Sequence, residues 1–372
     1  MSHYSYYIIF LVMLIPILLS KKTKYVYWIT SILFLSIVTS LRYNFGADYT
    51  AYSKVFNLIL TNQAVSQNYE RFYVMYNQLI QSLGFDYAQF VAINTIILLF
   101  FVISWILTSS KYKYRSFFVY VSFFLLVWNL STYRQAMALS FGVLLLYNRK
   151  LNFHLIIKLL IVPILALFHV SALFFGVLLI LGEIPWKKYY LLFLLVAGLL
   201  FTLLPTQEII AQAINHPSFD VITNIYKIRY YFAKMTFTTG FFSINAMMRI
   251  FFFGLIWIHY EILTNTKYLK NMTDIFLVGM SLYFFLSFNA LFASRLTIYA
   301  LILLVILLPE ILAYYEDKKP WMRIAAMSMF IGLCTFMYFK DLYAIKEQLG
   351  IDDGKWYVEY QSILDQDIII EK

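Results

Sequence analysis

The chain has 372 residues, 62% of them hydrophobic and 13% charged, with a formal net charge of +10. Ordinary soluble domains hold about 45–50% apolar and 25% charged residues, so this composition excludes a string of soluble domains and points to a bilayer as solvent. Most Lys and Arg fall in short breaks between apolar runs, where the positive-inside bias puts them, so the positive charge gives no sign of nucleic acid as a partner. A single Cys, Cys334, excludes an internal disulfide and a Cys-rich metal site.

In chain order, apolar runs of the length a membrane helix needs, about 20 residues, extend from Tyr4 almost to Lys340. They predict an all-α polytopic membrane protein of about 12 transmembrane helices. These are expected near 4–20, 25–41, 87–109, 116–131, 134–148, 153–167, 170–184, 189–204, 241–260, 273–290, 295–313 and 322–339. The pair 153–167 and 170–184 is short enough to be one helix instead. Residues 1–340 then form a single transmembrane domain and 341–372 a polar tail. Residues 1–20 lack a basic n-region and a cleavage site, and Lys21, Lys22 and Lys24 follow the first run. The first helix is therefore expected to stay, with its N-terminus outside. Counted from there, the inner breaks are Lys21–Lys24, Lys111–Arg115, Asn148–Lys150, Trp186–Lys188, Asn265–Lys270 and Tyr315–Arg323, each of them basic.

Two outer segments are long, 42–86 and 205–240. In the first, Tyr52, Val55, Phe56, Ile59 and Leu60 make an apolar stripe opposite Lys54 and Asn57, which predicts an amphipathic helix in the interface plane. Ile209, Ile210, Ala213 and Ile214 repeat the pattern more weakly in the second.

Five residues defy the charge pattern. Arg42 follows the second predicted helix; Arg134, His169 and Arg295 lie in tight outer turns; Arg249 lies about two turns inside its helix. An Arg at membrane depth costs about 2.5–3.5 kcal/mol on insertion scales, so it needs a partner, a wet cavity or an anionic ligand. A guanidinium fork matches phosphate oxygens, and several together suit a diphosphate at headgroup level. Plainer readings exist: Arg42 snorkelling to outer lipid phosphates, Arg249 in an internal salt bridge, His169 as a hydrogen-bonded turn residue. Outer carboxylates are Asp48, Glu70, Asp86, Glu208, Asp220 and the tail acids. Gly46 permits a sharp turn that would bring Asp48 back over the helix end, to pair with an Arg or take a proton from a hydroxyl. No phosphate loop, dinucleotide fingerprint or His-Glu-x-x-His occurs. No metal or cofactor is expected, and any sugar donor is expected to be lipid-linked rather than nucleotide-linked.

These residues resemble a family. Arg42, Gly46, Asp48, Tyr49 and Tyr52 look like the R-x-x-x-G-x-D-Y-x-x-Y segment of EpsG-type proteins, which belong with the Wzy-like polysaccharide polymerases. Arg134, Gln135 and Ala138 resemble the R-Q-x-x-A element; Phe168, His169, Ser171 and Ala172 resemble F-H-x-S-A; Arg295 and Tyr299 resemble R-x-x-x-Y. The matches come in family order over roughly 1–315; Ala47 departs from the usual Thr or Pro. The resemblance implies a multi-helix, GT-C-like glycosyltransferase in the bacterial cytoplasmic membrane. It would join undecaprenyl-diphosphate-linked oligosaccharides at the outer face into O-antigen or capsular polysaccharide, requiring no metal and with a chain-length regulator of the Wzz type as a candidate partner. In that reading Arg134 and Arg295 stabilise the leaving diphosphate, Arg42 anchors a second one, and Asp48 or His169 is the base. Tyr43, Tyr49, Tyr52, Gln135 and Arg249 would line the substrate. The competing classes are a lipid-oligosaccharide flippase, which predicts charges at the midplane and paired repeats, an O-antigen ligase, which shares the chemistry, and a membrane acyltransferase, for which His169 is on the wrong side.

Overall fold

The computed structural model describes residues 4–18, 21–46, 48–61, 66–67, 69–204, 243–348, 358 and 360–364. The amphipathic pattern at Ile209–Ile214, Ala47 and the tail acids lie outside the described residues. Among the described residues the fold is helical throughout, with one isolated β-bridge. The helices are α1 Ser5–Leu18, α2 Lys21–Ser40, α3 Tyr49–Leu58, α4 Arg71–Ser82, α5 Tyr87–Ser109, α6 Lys113–Tyr120, α7 Tyr133–Leu146, α8 Leu155–Ala166, α9 Leu173–Gly182, α10 Lys188–Phe201, α11 Ile244–Ile258, α12 Tyr260–Leu263, α13 Lys267–Phe285, α14 Ala290–Leu301, α15 Leu304–Tyr314 and α16 Pro320–Gln348.

Each apolar segment read from the sequence is helical, and the pair around His169 stays two helices, parted by a short 3₁₀ turn at Val170–Ala172. Their apolar surfaces make the chain a membrane-embedded protein. By length and composition α5 and α16 are long enough to cross a bilayer, and α14 with α15 makes a third span if that pair, bent by 52°, counts as one. Seven further apolar helices run 10–17 residues. Beyond α6 the helix widens into a π-helix over Val121–Asn129, a form that usually marks a functional or strained stretch. Arg295 is not in a turn: α14 starts at Ala290, capped by the Asn289 side chain accepting from the Phe292 N–H at 3.0 Å. Arg134 likewise sits on the first turn of α7.

The described residues pack into two compact units, one of 1–152, 164–169 and 308–372, the other of 153–163 and 170–307. In the first, Arg115 pairs with Glu316, and Lys111 and Arg149 act on Glu310. Three loops expected on the inner side therefore meet at one end. In the second, Lys188 lies over the Tyr260 ring, whose hydroxyl donates to Asp274 at 2.9 Å, and Asp274 pairs with Lys270 at 2.5 Å, so two basic breaks meet there too.

The stripe on α3 faces protein, not lipid. Tyr52, Val55, Phe56 and Ile59 are buried against Tyr73, Tyr87 and Phe90, while Lys54, Asn57 and Leu60 are exposed. The amphipathic helix is present, with four of the five stripe residues covered by protein and Leu60 exposed. The periodicity shows that one face is apolar, and the neighbouring helices supply its cover. The tail also packs: Tyr43 N–H donates to Gln361, Ile363 N–H to Leu41, and the Tyr360 hydroxyl to Val38.

Candidate active site

Site residues of the first unit gather around α3, α4 and the start of α7. Arg42 is fully buried. Its guanidinium donates to the Thr39 carbonyl, to Thr95 Oγ1 at 2.9 Å, to the Leu130 carbonyl at 3.3 Å and to the Tyr133 hydroxyl at 2.9 Å. Gly46, at φ +115°, lies against the same turn, where a Cβ would stand 2.7 Å from the Leu130 carbonyl oxygen. The first two sequence motifs therefore form one interlock: Arg42 holds the turn 130–133, and Gly46 allows the close approach. With protein acceptors around it and no exposure, Arg42 presents no face to a ligand here.

Arg134 is placed differently. Its Nη1 pairs with Glu70 Oε2 at 2.5 Å, and the two side chains keep 19% and 18% of their surface exposed. Its guanidinium lies over the rings of Tyr69 at 4.8 Å and of Tyr52 and Tyr73 at 5.8 Å. Burial pushes the Tyr73 phenol well up, with neighbouring Tyr52 adding and Arg134 offsetting. The ring is thus a neutral face, and the counter-charge at Arg134 is the Glu70 carboxylate. Glu70 stands at the N-cap of α4 without bonding its own helix N-terminus, unlike Asp86, whose carboxylate caps α5 in a capping box with Gln89.

Asp48 precedes α3, half-buried, and acts electrostatically on the Tyr133 phenol. Tyr43 meets Tyr49 edge-on at 5.8 Å, and the Tyr87 hydroxyl donates to the Tyr49 carbonyl at 3.0 Å. Burial pushes the Tyr49 phenol above its ordinary range. Gln135 is buried beside Arg134 in α7. His169 is buried next to Phe168, which stacks on Phe141 at 5.4 Å and meets Phe72 edge-on at 5.2 Å, while the Phe72 N–H donates to Leu167 at 3.1 Å. The third motif thereby joins the aromatic floor that Tyr52, Tyr73 and Tyr133 form.

In the second unit the third and fourth motifs touch through hydroxyls, Ser171 Oγ with Tyr299 at 2.7 Å. Arg295 is half-buried one turn before Tyr299 on α14. Arg249 is buried on α11 with its guanidinium over the Tyr283 ring at 4.3 Å, and among the described residues it has no salt bridge. Among the described residues no group of His, Cys, Asp or Glu is arranged to hold a metal ion. Sequence reasoning passed over Glu70, Tyr69 and Tyr73. Glu70 was one of few outer carboxylates, which was the available signal, but its pairing spans 64 residues.

An all-helical, membrane-embedded protein that holds guanidinium groups against tyrosine faces is the class defined by this fold and site. The chain belongs to the EpsG family, which it matches over residues 25–362. Membership brings a role of the polysaccharide polymerase or glycosyltransferase kind. The match runs past the 315 or so residues in which motifs were legible and takes in the packed segment at Tyr360–Ser362. Comparison with curated proteins and with solved structures finds no match.

Proposed function

We propose that this chain polymerises lipid-linked oligosaccharide repeat units at the outer face of the bacterial cytoplasmic membrane, as a multi-pass, GT-C-like enzyme of about 12 spans. The growing polysaccharide leaves its undecaprenyl diphosphate carrier and joins the non-reducing sugar of the next lipid-linked unit. O-antigen, capsule or exopolysaccharide is the product.

The observation that carries the reading is the Arg134 seat, a cation ringed by Tyr52, Tyr69 and Tyr73 and still partly open. A guanidinium held in place before the reaction stabilises charge as it develops on the leaving diphosphate, without reorganisation at that moment. Tyrosine faces beside it suit the apolar faces of sugar rings. In the second unit Arg295 stabilises a diphosphate, and Arg249 lines the substrate path. Asp48 or His169 takes the acceptor hydroxyl proton. Arg42 acts through the turn 130–133, which fixes where α7 and hence Arg134 begin. A chain-length regulator is the proposed protein partner.

The test is the surface polysaccharide gel of a deletion strain complemented with Arg134→Ala. A single repeat unit without a ladder, at wild-type protein level, is expected. A normal ladder overturns the assignment of Arg134, and loss of every repeat unit points to a flippase or ligase.

A further inference from the structure

Glu70 has no part in the reading above, yet among the described residues it makes the shortest polar contact to Arg134, at 2.5 Å. Three features bear on it. The pair is partly open, with 18–19% of each side chain exposed, so it is not sealed from solvent. The carboxylate leaves its own helix N-terminus unbonded although it stands at the N-cap. The Tyr69, Tyr52 and Tyr73 faces hold the guanidinium on other sides, so Arg134 stays put if the carboxylate swings away. The Glu70 oxygen on Arg134 Nη1 occupies a position that a phosphate oxygen would take.

We infer that Glu70 is the resident occupant of the anion seat on Arg134, and that a phosphorylated lipid enters by displacing it. The inference rests on Arg134 being the phosphate-binding group. After glycosyl transfer the returning carboxylate refills the seat and keeps the product diphosphate from rebinding. Displaced Glu70 stays near the first turn of α4, whose partial positive charge attracts a carboxylate.

Displacement has a signature that neither a structural tie nor simple repulsion shares. A competitor that must leave before any ligand binds weakens every ligand by the same factor. A fixed carboxylate repels a diphosphate more than a monophosphate. A structural tie, once removed, weakens both.

The experiment measures binding of farnesyl diphosphate and farnesyl monophosphate to the purified full chain in neutral detergent, for wild type, Glu70→Gln and Arg134→Gln. Glu70→Gln is expected to tighten both ligands by one shared factor of about fivefold, the scale of a partly exposed ion pair. A larger gain for the diphosphate, no gain, or a loss in both overturns the inference. If Glu70→Gln melts early, Glu70→Asp keeps the charge with a shorter reach. It should show a smaller shared gain, and affinities at or below wild type overturn the inference equally. Arg134→Gln binding as tightly as wild type defeats the underlying reading of Arg134 instead, so the two failures are distinguishable.

Discussion

Arg42 and Arg134 stand within one packed unit, and the two pockets that hold them solve the same problem in opposite ways. Around Arg42 the acceptors are two carbonyls and two hydroxyls, and no part of the side chain reaches solvent. Around Arg134 there is a carboxylate, three aromatic rings and an opening. Neutral dipoles around a sealed cation make a rigid joint. A mobile counter-ion beside an open cation makes a place where another anion can sit. Residue type alone, or position outside the positive-inside pattern, does not separate the two.

Substitutions sharpen that contrast. The largest effect is expected from Arg42→Ala, which strands the buried acceptors Thr95, Leu130 and Tyr133 and opens a cavity; about 3–5 kcal/mol of stability goes. Protein level in the membrane fraction and melting in detergent should both collapse. Survival of wild-type melting would break the comparison. Arg134→Ala should leave the level intact and slow polymerisation about 10²–10³-fold, the usual loss for one preorganised charge-stabilising group, read from repeat-unit incorporation in membranes. Gly46→Ala combines a positive φ with a 2.7 Å approach to the Leu130 carbonyl oxygen. It should cost about 1–3 kcal/mol and act on the Arg42 joint rather than on the Arg134 seat, so melting falls more than rate per folded molecule. Asp86→Ala removes the cap of α5 and should cost about 1 kcal/mol, a shift in melting with polymer length unchanged.

Much of the helical framework was legible because apolar runs of bilayer length are hard to hide. The predicted helix 87–109 coincides with α5, which Asp86 and Gln89 announce as a capping box. The start of α14 was missed although Asn289 is a good cap, because the apolar pattern runs on across it. The bend of 52° between α14 and α15 leaves no trace in hydropathy, since both sides are equally apolar. At the site, Arg134 and Asp48 stood out by charge, but the partner of Arg134 lay 64 residues away on another helix. Side-chain pairing over such a distance depends on how helices dock, which one sequence does not carry. The polar tail concealed Val358 and Tyr360, two buried residues in a stretch too short to show a period.

The strap formed by Tyr360, Gln361 and Ile363 has a consequence for biogenesis. Tyr360 closes on Val38 across 322 positions of chain, and ribosomes add roughly 5–20 residues per second. Through the intervening interval, on the order of 16–64 seconds at those rates, α1 and α2 wait in the bilayer with Leu41 and Tyr43 still lacking the backbone partners that 361 and 363 will bring. The opening motif is thus finished only by late-arriving chain, and a tag fused close behind that segment would interfere with the far end of the molecule.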